Sequence, residues 1–250
     1  MPLGKRLGVR PARPTKHYPL RNRVGFPILR SRADDLVPLP MNSFPEKALP
    51  VPAQPETPPQ RVIIFSGHMV DASDRPAPRF PPSKENRVRE RLAAQLEAWQ
   101  AGPGDLAISG AARGGDLLFA ELCAGRGAET WLLLPRPKEE FLAESVRLPS
   151  GGWEERFHAL CAQPGVRRFF QPEHLGQDSA GLDVHARNNL WIMDTARALA
   201  PAPERILALM VWDEQPTGDG PGGTSDFAAQ VRQAGGELAP SINPTKLPPD

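Results

Sequence analysis

Two short glycine turns, Gly110-Ala-Ala-Arg-Gly-Gly-Asp116 and Pro221-Gly-Gly-Thr-Ser-Asp226, hold the residue types in this chain best suited to gripping a phosphate. Glycine permits a sharp turn and a close main-chain approach to a ligand. The N–H groups that open a following helix present donors and a partial positive charge to an anion. The candidate ligand-binding residues are Gly110, Arg113, Gly114, Gly115 and Asp116 from the first turn and Gly222, Gly223, Thr224 and Ser225 from the second. Arg113 adds a planar fork of donors that matches phosphate. Asp116 suits either the cap of the helix that follows or a ribose hydroxyl. A glycine at one strand–helix corner is often plain chain geometry, so the weight rests on the pair of turns and on the polar residues each carries.

Neither turn is a familiar nucleotide signature. The first lacks glycine at the third position of the dinucleotide fingerprint, and it does not end in the Gly-Lys-Ser/Thr of a P-loop. Classical NAD use and ATPase chemistry are therefore disfavoured. Ser66, Gly67 and His68 follow an apolar run and join the candidate ligand set, His68 also as an acid or base. Arg75 and Arg79, in the proline-rich loop beyond them, are placed to form a lid over an anion. Glu121 stands alone in an otherwise apolar segment and is a candidate pocket carboxylate. Neither Cys123 nor Cys161 has a second cysteine near it, and both read as small buried apolar side chains, so no disulfide framework or metal site is expected; no cofactor is expected either.

Distant residues such as these meet only if secondary structure brings them to one place. From residue 61 onward, β-branched and aromatic runs predict strands at 62–65, 106–109, 130–134, 166–170 and 206–212, with a weak last strand near 238. Between them, Val88, Leu92, Leu96 and Trp99 share one helical face over 84–101, and Trp153, Phe157, Leu160 and Cys161 share another. Further helices are expected at 116–124, from 137, at 182–200 and at 224–234. Strands alternating with helices predict an α/β fold, a doubly wound, mostly parallel Rossmann-like sheet with helices on both faces. Such sheets bind ligands outside the carboxyl ends of their strands, where Ser66 to His68, both glycine turns, Arg136 and Asp213 would gather.

Residues 1–60 differ from this body. They hold 13 of the 31 prolines, which remove backbone donors and favour extended chain. Their first 32 residues carry Lys5, Arg6, Arg10, Arg13, Lys16, Arg21, Arg23, Arg30 and Arg32 and no acid. With Lys47 set against Asp34, Asp35, Glu46 and Glu56, this segment has a net charge of +6 against −5 for the remainder. It is read as a basic extended arm, 1–60, before a domain at 61–240 and a tail at 241–250. Such an arm suits a homo-oligomer contact, a protein partner or nucleic acid, the last being the less favoured. Its apolar residues, among them Val24, Phe26, Ile28 and Leu29, are expected to lie against a protein surface. No run approaches the roughly 20 apolar residues of a membrane helix, and no secretory signal is seen, so no membrane contact and a cytoplasmic location are expected.

Four pieces together carry a resemblance to a known superfamily: Phe65-Ser-Gly-His-Met-Val-Asp71 with Arg75-Pro-Ala-Pro-Arg-Phe-Pro81, residues 110–121, Ala186-Arg-Asn-Asn-Leu-Trp191, and Gly220-Pro-Gly-Gly-Thr-Ser-Asp226. Over about residues 61–240 the chain resembles the Smf/DprA and LOG superfamily of Rossmann-like proteins, called SLOG. The resemblance implies that the two glycine turns hold the phosphate of a nucleotide or nucleotide-derived ligand, and it adds Arg187 to the candidate ligand-binding residues. LOG-type members are phosphoribohydrolases with the pattern Pro-Gly-Gly, one residue, Gly-Thr, two residues, Glu. Here Pro221-Gly-Gly runs directly into Thr224-Ser-Asp226 with no matching glutamate. The resemblance is therefore closer to members that sense nucleotide signals than to those that destroy them. The expected function is binding or sensing of such a ligand in signalling or stress response. The alternatives are a LOG-like hydrolase of an N-glycosidic or phosphate bond, in which Asp226 or Glu121 replaces the missing glutamate, and an oligomer-forming or nucleic-acid-binding protein working through the arm.

Overall fold

The run Val62-Ile-Ile-Phe65 has side chains apolar on both sides of the chain, as a strand covered on two faces requires. In the computed structural model, which describes residues 48–176, 183–215 and 223–250, it forms the centre of β1, Arg61–Gly67. Ile63 and Phe65 enter one apolar cluster and Val62 and Ile64 the other, following the period of two along a strand. The remaining strands are β2 (Asp105–Ser109), β3 (Glu129–Leu134), β4 (Val166–Phe170), β5 (Ile206–Val211) and β6 (Glu237–Leu238). All pair in parallel, in the order β4-β3-β2-β1-β5-β6.

The helices divide between the two faces according to their apolar stripes. Helix α1 (Glu85–Ala98) buries Val88, Leu92 and Leu96 on the face of Ile63 and Phe65, together with α2 (Gly115–Gly125) and, beyond the short α3 (Lys138–Phe141), α4 (Trp153–Cys161). After the short α5 (Gln171–Leu175), helix α6 (Val184–Leu199) buries Trp191, Ile192, Met193 and Ala196 on the opposite face. It shares that face with Phe227, Ala228 and Val231 of α7 (Thr224–Gln233). Each fully buried large apolar side chain contributes about 1.5–3 kcal/mol. The result is a three-layer, doubly wound α/β fold of the Rossmann-like class.

Connectivity decides where a ligand can enter. The chain steps outward from β1 to β2, β3 and β4, then returns through α6 to β5 on the other side of β1. The helix after β1 packs on one face and the helix after β5 on the other, so a crevice opens between the carboxyl ends of these two neighbours. The segment after β3 closes one side of that crevice. A π-helical turn, Leu142–Val146, follows α3 and sets the Ser145 carbonyl against the first glycine turn, accepting the Arg113 N–H at 2.8 Å.

Both ends of the described chain are tied to this body. Residues 49–53 run over the α6 face: Leu49 N–H donates to Asp194 at 2.9 Å, and Trp191 Nε1 donates to the Pro50 carbonyl at 2.8 Å. Leu49, Val51 and Ala53 pack against the apolar cluster there. At the other end Ile242 pairs in parallel with Val211, the last residue of β5. The Asp250 carboxylate accepts the N–H groups of Asn86 and Arg87 at 3.0 and 3.1 Å, capping α1 where Lys84 provides no side-chain cap. No helix among the described residues is long and apolar enough to cross a membrane.

Candidate functional site

A cavity of about 640 Å³ lies at the carboxyl edge of the sheet. Its wall includes the end of β1 and the loop after it, the first glycine turn, and Gly223 and Thr224 at the start of α7. The first turn and the β1 loop are zipped together. Gly115 N–H donates to the His68 carbonyl at 3.1 Å and Val70 N–H to the Arg113 carbonyl at 3.3 Å, so that Met69 and Gly114 form an antiparallel bridge. Gly114 has φ of +94°, and a Cβ there would lie 2.5 Å from the Val70 nitrogen. Glycine is required at this position by the packing of one backbone on another, apart from any ligand.

The zip also consumes donors that the sequence assigns to an anion. Ala112 N–H donates to Asp116 Oδ2 at 3.3 Å, Arg113 N–H to Ser145, and Gly115 N–H to His68. Among the described residues the N–H groups of Gly114 and Asp116 have no such partner. Arg113 lines the cavity and is half-buried, its guanidinium donating to the carbonyls of Val70 (3.3 Å) and Glu144 (3.2 Å). Burial pulls the pKa of this group below its ordinary value, against the opposing charge of Asp71. Asp116 stands in the same wall, partly buried, and burial pushes its carboxyl up to about 7 while the Ala112 N–H pulls it down. A carboxyl in that range holds or gives up a proton near neutral pH.

Across the cavity, His68 and Asp213 join the ends of β1 and β5. Both are 8% exposed, and His68 Nε2 lies 3.1 Å from Asp213 Oδ1. Arg79 closes the group with a fork onto the same carboxylate, Nε at 2.9 Å from Oδ2 and Nη2 at 3.3 Å from Oδ1. Burial disfavours the Asp213 anion, but the hydrogen bonds of Arg79, His68 and the Gln215 N–H outweigh it and hold its pKa at about 2. Arg79 and Arg75 do line the cavity from the loop, as a lid over an anion requires. Each is nevertheless paired with a carboxylate, Arg79 with Asp213 and Arg75 with Asp71. Asp71 also pins the loop, its Oδ2 accepting the N–H groups of Arg79 and Phe80, both at 2.8 Å.

Of the other sequence candidates, Ser66, Gly67, Gly110, Gly223 and Thr224 line the cavity. Gly114, Gly115 and Ser225 sit immediately beside lining residues, while Gly222 lies outside the described residues. Arg187 is elsewhere: buried, it donates to the carbonyls of Gly176 and Leu175, each at 2.9 Å, and so closes the carboxyl end of α5. Glu121 is also absent from the cavity wall. It accepts from Arg89 at 2.7 Å and from Arg156 at 2.7 and 2.8 Å, tying α2 to α1 and α4, and this network accounts for a carboxylate in an apolar helix. Arg136 pairs with Glu144 at 2.7 Å, and Asp226, in the first turn of α7, does not line the cavity.

Several lining residues escape the sequence reading. Asn188 reaches back to the Leu133 carbonyl at 2.8 Å, and Asp183 caps α6 by accepting the N–H groups of His185 (2.9 Å) and Ala186 (3.2 Å). Asp71 and Asn188 belong to segments that already stand out as motifs, which is the signal that points to them. Ser145 and Phe141 have none, because only the path of α3 and the π-turn after it brings them in. No His, Cys, Asp and Glu group that would hold a metal ion occurs among the described residues.

Fold and site together define a Rossmann-like α/β protein with a polar cavity at its switch point. No family model matches the chain, and no curated protein matches it. Among solved structures, the X-ray structure of TM1055, a structural-genomics target, is similar with a TM-score of 0.34 and 12% identity, over 74% of this chain and 95% of that one.

Proposed function

We propose that this chain binds a nucleotide or nucleotide-derived ligand in the cavity between β1 and β5, as a cytoplasmic SLOG-type sensor in signalling or stress response. One observation carries the reading: Arg113, the first glycine turn, and Gly223 and Thr224 of the second border a single cavity at the switch point of a parallel sheet. The Gly114 and Asp116 N–H groups and the first turn of α7 supply main-chain donors, and Arg113 supplies charge without forming an ion pair among the described residues. The volume falls within the usual range for small-ligand sites, about 300–1,000 Å³.

Calorimetric titration with a panel of linear and cyclic nucleotides tests it. At least one saturable ligand is expected, weakened about tenfold or more in Arg113→Gln, since a charged phosphate contact is worth about 1.5–3 kcal/mol. Failure of every member to bind the wild type overturns the reading.

A second reading, hydrolysis of the ligand, is favoured by one observation. Asp116 keeps a carboxyl with a pKa of about 7 in the cavity wall, the range in which general acid–base catalysis works. Glu121 and Asp226 do not line the cavity, so the catalytic role passes to Asp116. Free base or ribose phosphate released from nucleoside monophosphates, and lost in Asp116→Asn, is the outcome this reading requires.

A further inference from the structure

One buried oxygen in the cavity wall has unused hydrogen-bonding capacity. Asp71 is 5% exposed, and while its Oδ2 holds the N–H groups of Arg79 and Phe80, Oδ1 is buried and receives no hydrogen bond among the described residues. Arg75 Nε lies 3.3 Å from Oδ1, but it directs its N–H to the Ala77 carbonyl at 3.1 Å. It therefore supplies charge to Oδ1 and not a directed bond. Native structures retain few buried polar atoms in this condition, because each gives up its bonds to water and gains none in return. Arg75 has a side chain 44% exposed, so it can swing away from Asp71 without disturbing the core.

The position of Asp71 limits what can reach it. The residue before it, Val70, donates its N–H to the Arg113 carbonyl, so Asp71 adjoins the glycine turn where the phosphate would sit. The part of a nucleotide within reach is then the group bonded to that phosphate, the sugar. A carboxylate oxygen is acceptor-only and takes an O–H donor well. We propose that Asp71 Oδ1 accepts a hydrogen bond from a sugar hydroxyl of the ligand, which takes the place of Arg75, so that the cavity selects ribose over deoxyribose compounds. This inference rests on the nucleotide reading above and adds a specificity determinant to it.

Asp71→Asn separates the two oxygens of this side chain. The amide keeps one oxygen for the Arg79 and Phe80 N–H groups and replaces the other with a donor. The test is titration of the full chain with the four ribonucleoside monophosphates and their 2′-deoxy and 3′-deoxy counterparts. Wild-type protein should bind at least one ribonucleotide about tenfold more tightly than one of its deoxy forms, because the deoxy form leaves the buried acceptor unmet. In Asp71→Asn that ratio should fall towards one. In Arg75→Ala, which removes the competing guanidinium and leaves Asp71 intact, ribonucleotide affinity should rise and the ratio persist. Ribo and deoxy forms bound equally by wild type, or weakened equally by Asp71→Asn, would overturn the inference and leave the nucleotide reading standing. Absence of binding by every nucleotide overturns both.

Discussion

Two carboxylates a few strands apart show how environment assigns opposite tasks to one residue type. Asp213 is held ionised by Arg79 and His68, with a pKa of about 2 against 3.8 for the ordinary side chain. A depressed pKa adds stability that is present above the unfolded value and is lost as pH falls through the folded one. Asp213→Asn should therefore lower stability to denaturant by about 2 kcal/mol at pH 7, with the deficit shrinking between pH 4 and pH 2. Asp116 has the opposite sign. Its carboxyl is raised to about 7, so the folded chain holds the proton more tightly than the unfolded one and loses stability as pH rises from about 4 to about 7. Asp116→Asn removes that loss. Its gain over wild type should grow across that interval and level off above it, read as Tm against pH, where each kcal/mol is worth about 2–4 °C in a domain of this size. A flat difference at either position would contradict the assigned environment.

At the scale of elements, the β1 loop and the first glycine turn behave as one unit. The zip between His68–Val70 and Arg113–Gly115 joins the two segments into one wall of the cavity. Gly114→Ala places a methyl group 2.5 Å from the Val70 nitrogen at a φ of +94°, and should cost about 2 kcal/mol or more in urea unfolding. An unchanged midpoint would show that the zip is dispensable. This is also where sequence and structure part. The strands and helices are legible because continuous apolar runs such as 206–211 and the stripe Val88, Leu92, Leu96 report burial directly. The turns are legible as glycine clusters, but whether their N–H groups face a ligand or a neighbouring loop depends on which loops the sheet order brings together. Arg187 and Glu121 show the same limit: polar residues amid apolar ones signal a partner, and that partner is a helix end for one and two arginines for the other.

The body formed by the described residues is a parallel sheet covered on both faces, and residues 49–53 add to the cover over α6. Leu49, Val51 and Ala53 and the bond from Trp191 to Pro50 shield apolar surface that a chain beginning at residue 61 would expose. Such a chain should melt lower than one beginning at residue 48, by about 5 °C or more, since two to three partly buried apolar contacts are lost. Equal melting temperatures would show that the segment adds nothing to the body. The cover lies on the face of α6, while the cavity opens at the edge where β1 and β5 end, so the fold keeps its support and its proposed binding site apart. A nucleotide-type ligand bound at that edge should shield the segments that line it. Amide hydrogen exchange on the full chain, with and without the tightest-binding nucleotide of the panel, reads this out. Protection is expected in residues 66–71, 110–116 and 223–227. Binding that leaves these three segments unchanged, or no binding at all, would contradict it.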